Sequence, residues 1–185
     1  MLQDALASLM TTRDFEKISI GDIAEAATLN RATFYDHYPD KFALLECLIG
    51  TRFGELMALR GVRVSECSGA LRALALGVCD YLAETQARGG KVQTASFQGA
   101  IVGVVHTMLM EGLREQAYAG AVSAEVVAST VAWAIVGAAD AWVKRDARCP
   151  AEEMAEVIDR LVQPMLGAAM DAPVPVGFTT AQGSR

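Results

Sequence analysis

Residues 20–41 read IGDIAEAATLNRATFYDHYPDK, and the reading of this stretch decides the fold. Ile23, Ala26 and Ala27 fall at i, i+3 and i+4, one face of a short helix. Phe34 and Tyr38 repeat the i, i+4 spacing after a break at 28–30, with Leu29 expected to pack beneath it. Two short helices, tightly joined and apolar on their inward sides, make a helix-turn-helix. The helix starts have mechanisms. The Ser19 hydroxyl can accept a backbone N–H while Asp22 complements the positive helix end. Asn30 is a strong cap for the second helix, and Asp40, after Pro39, for the next.

The outward side of the second helix carries Arg31, Ala32, Thr33, Tyr35 and His37. In a major groove such a helix presents its amino-terminal residues to base edges. There the Arg31 guanidinium can reach guanine O6 and N7 together. Thr33, Tyr35 and His37 supply hydroxyl, phenol and imidazole donors. Lys41 opens the following helix, where its ammonium and the backbone N–H groups both favour a phosphate.

Outward from this core the chain is rich in Ala, Leu, Glu and Met, and the expected fold class is all-α. Further helices are expected at 2–12, 41–60, 68–88, 93–119, 124–144 and 150–169. Gly99, Gly103 and Gly112 each weaken a helix interior by about 1 kcal/mol, so 93–119 reads as one helix or two. Pro150 suits a first helical position, with Glu152 and Glu153 in the first turn. Residues 171–185, holding Pro173, Pro175, Gly177 and Gly183, are expected to form a disordered tail.

The run FEKISIGDIAEAA (15–27), LNRATFYDHY (29–38) and DKFALL (40–45) resembles the TetR family of bacterial transcriptional repressors. Members carry a similar segment ending in T-[LF]-Y-x-[HY]-[FY]-x-x-K. The resemblance implies an amino-terminal three-helix DNA-binding domain over 1–45. An effector-binding and dimerisation domain over 46–170 would follow. It also implies phosphate contacts from Thr33, Tyr35, His37, Lys41 and the cap Ser19, with Arg31 and Ala32 where the family reads bases. Three features depart from the pattern. Thr28 stands where the family usually has a turn glycine, so a slightly different turn geometry is expected. Asp36 sits between two phosphate-contact positions and would repel the backbone unless it meets a cytosine amino group. The basic extension that many relatives place before the first helix does not precede residue 2 here.

In the family the last two helices pair with their two-fold mates. Residues 124–143 are apolar almost all round, and a helix apolar on every face must be buried on every face. The expected dimer interface is Val127, Val131, Ala134, Ala138 and Trp142 with Val157, Leu161 and Met165. Inward-facing candidates for an effector pocket are Val78, Tyr81, Phe97, Ile101, Val105, Met108, Leu109 and Trp133, with His106 as one polar anchor. The effector is expected to be small and apolar or aromatic.

Composition bounds the rest. Of 185 residues 52% are hydrophobic and 21% charged, and the net charge is −6. Those values exclude intrinsic disorder, and 16 Gly with four Cys exclude collagen-like and disulfide-scaffold chains. Cys47, Cys67, Cys79 and Cys149 are scattered and only two histidines occur, so neither a metal site nor a cofactor is expected. No nucleophile elbow, phosphate loop or zinc-protease motif appears, so no catalysis is expected. Residues 1–10 lack a secretory leader pattern and the 126–139 run is too short to span a bilayer. The expectation is a cytoplasmic homodimer that binds a palindromic operator in double-stranded DNA and releases it on binding an effector. The alternative is a helical small-molecule-binding protein of the same fold that has lost DNA binding. Residues 1–54 hold five basic and eight acidic groups. Only Arg31, Lys41, Arg52 and helix dipoles remain to offset that acidity, which predicts few phosphate contacts.

Overall fold

The computed structural model describes residues 1–59, 69–87 and 95–171. Those residues form eight α-helices: α1 (Leu2–Met10), α2 (Ile20–Ala26), α3 (Arg31–His37), α4 (Lys41–Leu59), α5 (Ala70–Ala87), α6 (Ala95–Glu115), α7 (Ala124–Val143) and α8 (Ala151–Asp171). A single 3₁₀ turn, Phe15–Lys17, separates α1 from α2. The expected helix ends at 60, 68, 88 and 93, and the expected tail from 172 onward, lie outside the described residues. Residues 95–115 form one helix, so the glycines do not divide it.

The amino-terminal helices are too short to persist alone, since isolated helices under about 12 residues are marginal in water. Their stability comes from a shared core. Leu6, Ile18, Ile23, Phe34, Leu44 and Leu45 are all at most 1% exposed. Leu2, Ala5 and Leu6 form the buried face of α1, which packs on α2 and α4. Helix α4 passes through the expected boundary at residue 45 without interruption. It buries Leu44 and Leu45 at one end and Ile49, Phe53 and Met57 at the other, joining the two cores into one cluster.

In the larger half, α5 is the central helix. Residues 73–79 are buried without a break, and α5 touches α4, α7 and α8. Its approach to α4 depends on Gly77, where a Cβ would lie 2.7 Å from the Phe53 ring. Arg52 reinforces the same contact by donating from Nη2 to Glu84 Oε1 at 2.7 Å and from Nε to Glu84 Oε2 at 3.1 Å. Glu84 and Glu55 thereby hold the Arg52 guanidinium firmly protonated, so this cation is not free to offset the acidity of the amino-terminal half.

Helix α7 does not follow its sequence reading. Val127, Val131 and Trp142, assigned to a dimer face, are 4%, 1% and 5% exposed and pack into the protomer's own core. Trp142 also donates from Nε1 to the Cys149 carbonyl at 3.0 Å, and the Arg148 guanidinium lies over its ring. Ala134 and Ala138 are half-buried. The outward stripe is instead Val126, Thr130, Trp133, Gly137 and Ala141. Trp133, expected in the pocket, is 59% exposed. By length and composition α7 could cross a membrane, yet half of that window is buried against its neighbours. A core helix passes the same test.

Candidate nucleic-acid interface and ligand cavity

Helix α2 begins at a closed capping box. Ser19 Oγ accepts from the Asp22 N–H at 3.1 Å, and Asp22 Oδ2 accepts from the Ser19 N–H at 2.8 Å. Hydrogen bonds from the Ser19 hydroxyl and N–H, then the Arg13 guanidinium at 3.1 Å, pull the Asp22 carboxyl down to about 2. The turn after α2 corrects the expectation for Thr28. It keeps the left-handed geometry, with φ 57°. Leu29 N–H donates to the Ala24 carbonyl at 2.8 Å and Thr28 N–H to that of Glu25 at 2.9 Å. This is the paired pattern of a Schellman ending, with threonine where glycine is usual.

Asn30 then caps α3: its Oδ1 accepts from the Thr33 N–H at 2.8 Å and from the Thr33 hydroxyl at 3.1 Å. Phe34 is the buried residue of α3, and Tyr38 follows it as a half-buried prop. That anchor leaves Arg31, Ala32, Tyr35, Asp36 and His37 exposed. Tyr35 is 57% exposed although its ring meets Phe34 edge-on. Arg31 makes no ion pair among the described residues, and its guanidinium lies across Gly21 at the start of α2. A Cβ there would be 2.4 Å from Nη2. Sequence reading missed Gly21, because its role is to leave space.

Three of the expected contact groups are already engaged. The Ser19 and Thr33 hydroxyls serve their caps. Lys41 Nζ donates to the carbonyls of Phe15, Glu16 and Ile18 at 3.1, 3.1 and 2.9 Å. These are all three N–H bonds of an ammonium, which also sits 4.7 Å above the Phe15 ring. Lys41 is therefore a staple between α4 and the 3₁₀ turn, and its ammonium would have to release a carbonyl to meet a phosphate. Because sequence reading did not anticipate the 3₁₀ turn, it could not see these acceptors converge.

A cavity of about 160 Å³ lies between α5, α6, α7 and α8. Of the pocket residues expected from sequence, Met108 and Leu109 line it. Val78, Tyr81, Phe97, Ile101 and Val105 are each at most 8% exposed and belong to the packed core, not to the cavity wall. His106 is also outside the lining. Its Nε2 lies 3.3 Å from Glu125 Oε1, without the alignment of a hydrogen bond. The polar lining residues are Gln116 and Gln163, which no local pattern marks as partners. A second, more open groove of about 320 Å³ lies between α4 and α6, lined by Glu46, Gly50, Gly103, Val104, Thr107 and again Met108.

Residues 2–48 match the family of bacterial regulatory proteins, tetR family. The amino-terminal domain is a TetR-family domain. Beyond those residues the whole helical architecture is similar to that of solved structures. RolR without ligand superposes with a TM-score of 0.53 at 18% identity, over 94% of this chain and 96% of that one. The TetR family repressor AlkX from Dietzia sp. strain DQ12-45-1b, implicated in biodegradation of n-alkanes, gives 0.49 at 18% identity over 91% and 97%. The dihydroxyacetone kinase operon activator DhaS gives 0.49 at 19% identity over 91% and 96%. At such identities the likeness shows the fold alone. No curated protein matches the chain by sequence.

Proposed function

We propose that this protein is a ligand-responsive transcriptional regulator, a cytoplasmic repressor that binds a palindromic operator as a homodimer. The observation that carries the reading is α3 itself. Phe34 holds it down, Asn30 caps it, and Arg31, Ala32, Tyr35, Asp36 and His37 are left exposed. We assign residues 1–45 to DNA and 46–170 to effector and partner. Arg31 and Ala32 read bases, while Tyr35 and His37 meet phosphates. Ser19, Thr33 and Lys41 shape the helices that present them and contact phosphate after local rearrangement.

Dimerisation uses the outward face of α7 and α8. Val126, Trp133, Val157, Leu161 and Met165 are 41–62% exposed there, an apolar surface that one protomer leaves uncovered. Two copies joined through it present two recognition helices to successive half-sites. Ligand response follows from Met108, which walls both the interior cavity and the groove against α4. A ligand that displaces Met108 is felt by α4, the helix rooted in the DNA-binding half. Release requires the ligand to prefer the conformation with misplaced recognition helices.

The alternative, a binding protein without DNA, is favoured by two observations. The amino-terminal half is acidic, and three expected contact groups are engaged within the fold. Fluorescence anisotropy on the DNA upstream of its own gene, titrated with salt, separates the two. The regulator reading expects an affinity that falls by about one log-log unit per phosphate contact. Arg31→Ala is expected to relax sequence preference. No binding at low salt would favour the alternative.

A further inference from the structure

We propose that the cavity between α5, α6, α7 and α8 takes a neutral molecule of single-ring size bearing a hydroxyl, which docks on the carboxamides of Gln116 and Gln163. The proposal deepens, and rests on, the assignment of the carboxy-terminal bundle to effector binding.

Size comes first. The volume is about 160 Å³, and an apolar cavity of roughly 150 Å³ holds one benzene. Charge is next. The thirteen described residues of the lining include no Asp, Glu, Lys, Arg or His. A carboxylate or ammonium entering would lose its hydration and find no counter-charge, which strongly disfavours either. His106 and Glu125, 3.3 Å apart, both lie outside the lining.

The distribution of polarity gives the orientation. Leu71, Leu74, Leu109, Val127, Val131 and Leu166 make an apolar wall, and among the described residues the glutamines are the only polar side chains in the lining. Both are exposed residues, so they stand at the mouth while the wall lies deeper. A carboxamide offers one acceptor oxygen and two N–H donors. A hydroxyl both donates and accepts, so it matches such a pair while the ring stays inside. A ketone would satisfy only the donors, and a hydrocarbon neither.

The test uses the full chain, without DNA, against phenol, toluene, benzoate and benzylammonium, by thermal shift and isothermal titration. Phenol and toluene are expected to bind and to raise Tm. The two charged rings are expected to bind at least about a hundredfold more weakly, as for an unpaired buried charge. Changing both Gln116→Leu and Gln163→Leu should weaken phenol by about fivefold or more, the worth of a neutral hydrogen bond, and leave toluene no weaker. Leu109→Phe should fill the cavity and abolish both. Benzoate binding as well as phenol, or phenol insensitive to the glutamine changes, would overturn the proposal. The charge series needs no variant, so it stands even if Leu109→Phe does not fold. A protein that binds phenol but no DNA keeps this site and loses the regulator reading. One that binds DNA but no neutral ring loses this inference alone.

Discussion

Helix α3 buries one side chain and α7 buries nine. The difference teaches how each is held. Seven residues of α3 cannot form a stable helix alone. It exists because Asn30 ends it, Phe34 pins it and Tyr38 props its exit. Helix α7 is held by area: Val127, Ala128, Val131, Ala132, Ile135, Val136 and Ala139 cover most of its length before Trp142 closes it. The region around α3 therefore rests on few, specific contacts, and the bundle rests on many interchangeable ones.

Phe34→Ala is the strongest way to break that comparison. Phe34 is fully buried, so its truncation is expected to cost about 3–5 kcal/mol in chemical denaturation. Because Phe34 is the one buried side chain of α3, DNA binding should vanish even under conditions where the bundle remains helical. If DNA binding survived the change, Asn30 and Tyr38 would suffice to hold α3 without Phe34.

The two tryptophans of α7 sharpen the comparison within one helix. Trp142 is 5% exposed and Trp133 59%. Trp142→Ala should cost about 3–5 kcal/mol of protomer stability. Trp133→Ala should move protomer stability by no more than about 0.5 kcal/mol. Its effect should instead appear as weakened self-association in sedimentation velocity. Equal effects of the two changes on protomer unfolding would contradict the assigned rotation of α7.

These same residues show what a sequence can reveal. In α3 the charged and hydroxylated side chains mark the outward surface, so its bounds and exposed face were readable. In α7 only Ser129 and Thr130 interrupt the apolar run between Glu125 and Asp140. Without a polar stripe nothing sets the helix's rotation, and the reading was off by one residue, about 100°. The exposed positions of Val157, Leu161 and Met165 were readable because α8 carries Glu, Asp, Arg and Gln on its other positions. The cavity was least legible. It exists where four helices fail to close, and Gln116 and Gln163 line it from distant parts of the chain.

The caps differ as well, and pH distinguishes them. Asp22 supports α2 as a carboxylate whose value in the fold is about 2, against 3.8 for the free group. A depressed value means its stabilisation is present above about pH 4 and disappears as pH falls through 2. Asp22→Ala should therefore lower Tm at neutral pH, with the gap to the parent closing between those limits. Helix α7 is capped by the neutral Ser123, which accepts from the Val126 N–H at 3.4 Å. Any Tm change from Ser123→Ala should stay constant over the same range, as read in parallel thermal melts.

The smallest effect concerns two turns of one shape in the two regions. Thr28 ends α2 at φ 57°, and Ala117 ends α6 at φ 49°. In both, paired backbone bonds close the helix: Leu29 to Ala24 and Thr28 to Glu25 in one, Tyr118 to Leu113 and Ala117 to Arg114 in the other. A left-handed conformation costs an L-residue roughly 1–2 kcal/mol, and a β-branched side chain suffers most. Glycine escapes that cost but loses more entropy on folding, so the net gain is smaller than the strain relieved. Thr28→Gly should stabilise by up to about 1 kcal/mol, and Ala117→Gly by less, both read as a raised denaturation midpoint. Thr28 Oγ1 also donates to the Ala27 carbonyl at 2.7 Å, a bond that glycine loses. If Thr28→Gly destabilised while Ala117→Gly did not, that hydroxyl would outweigh the strain, and the threonine would be a fitted part of the turn.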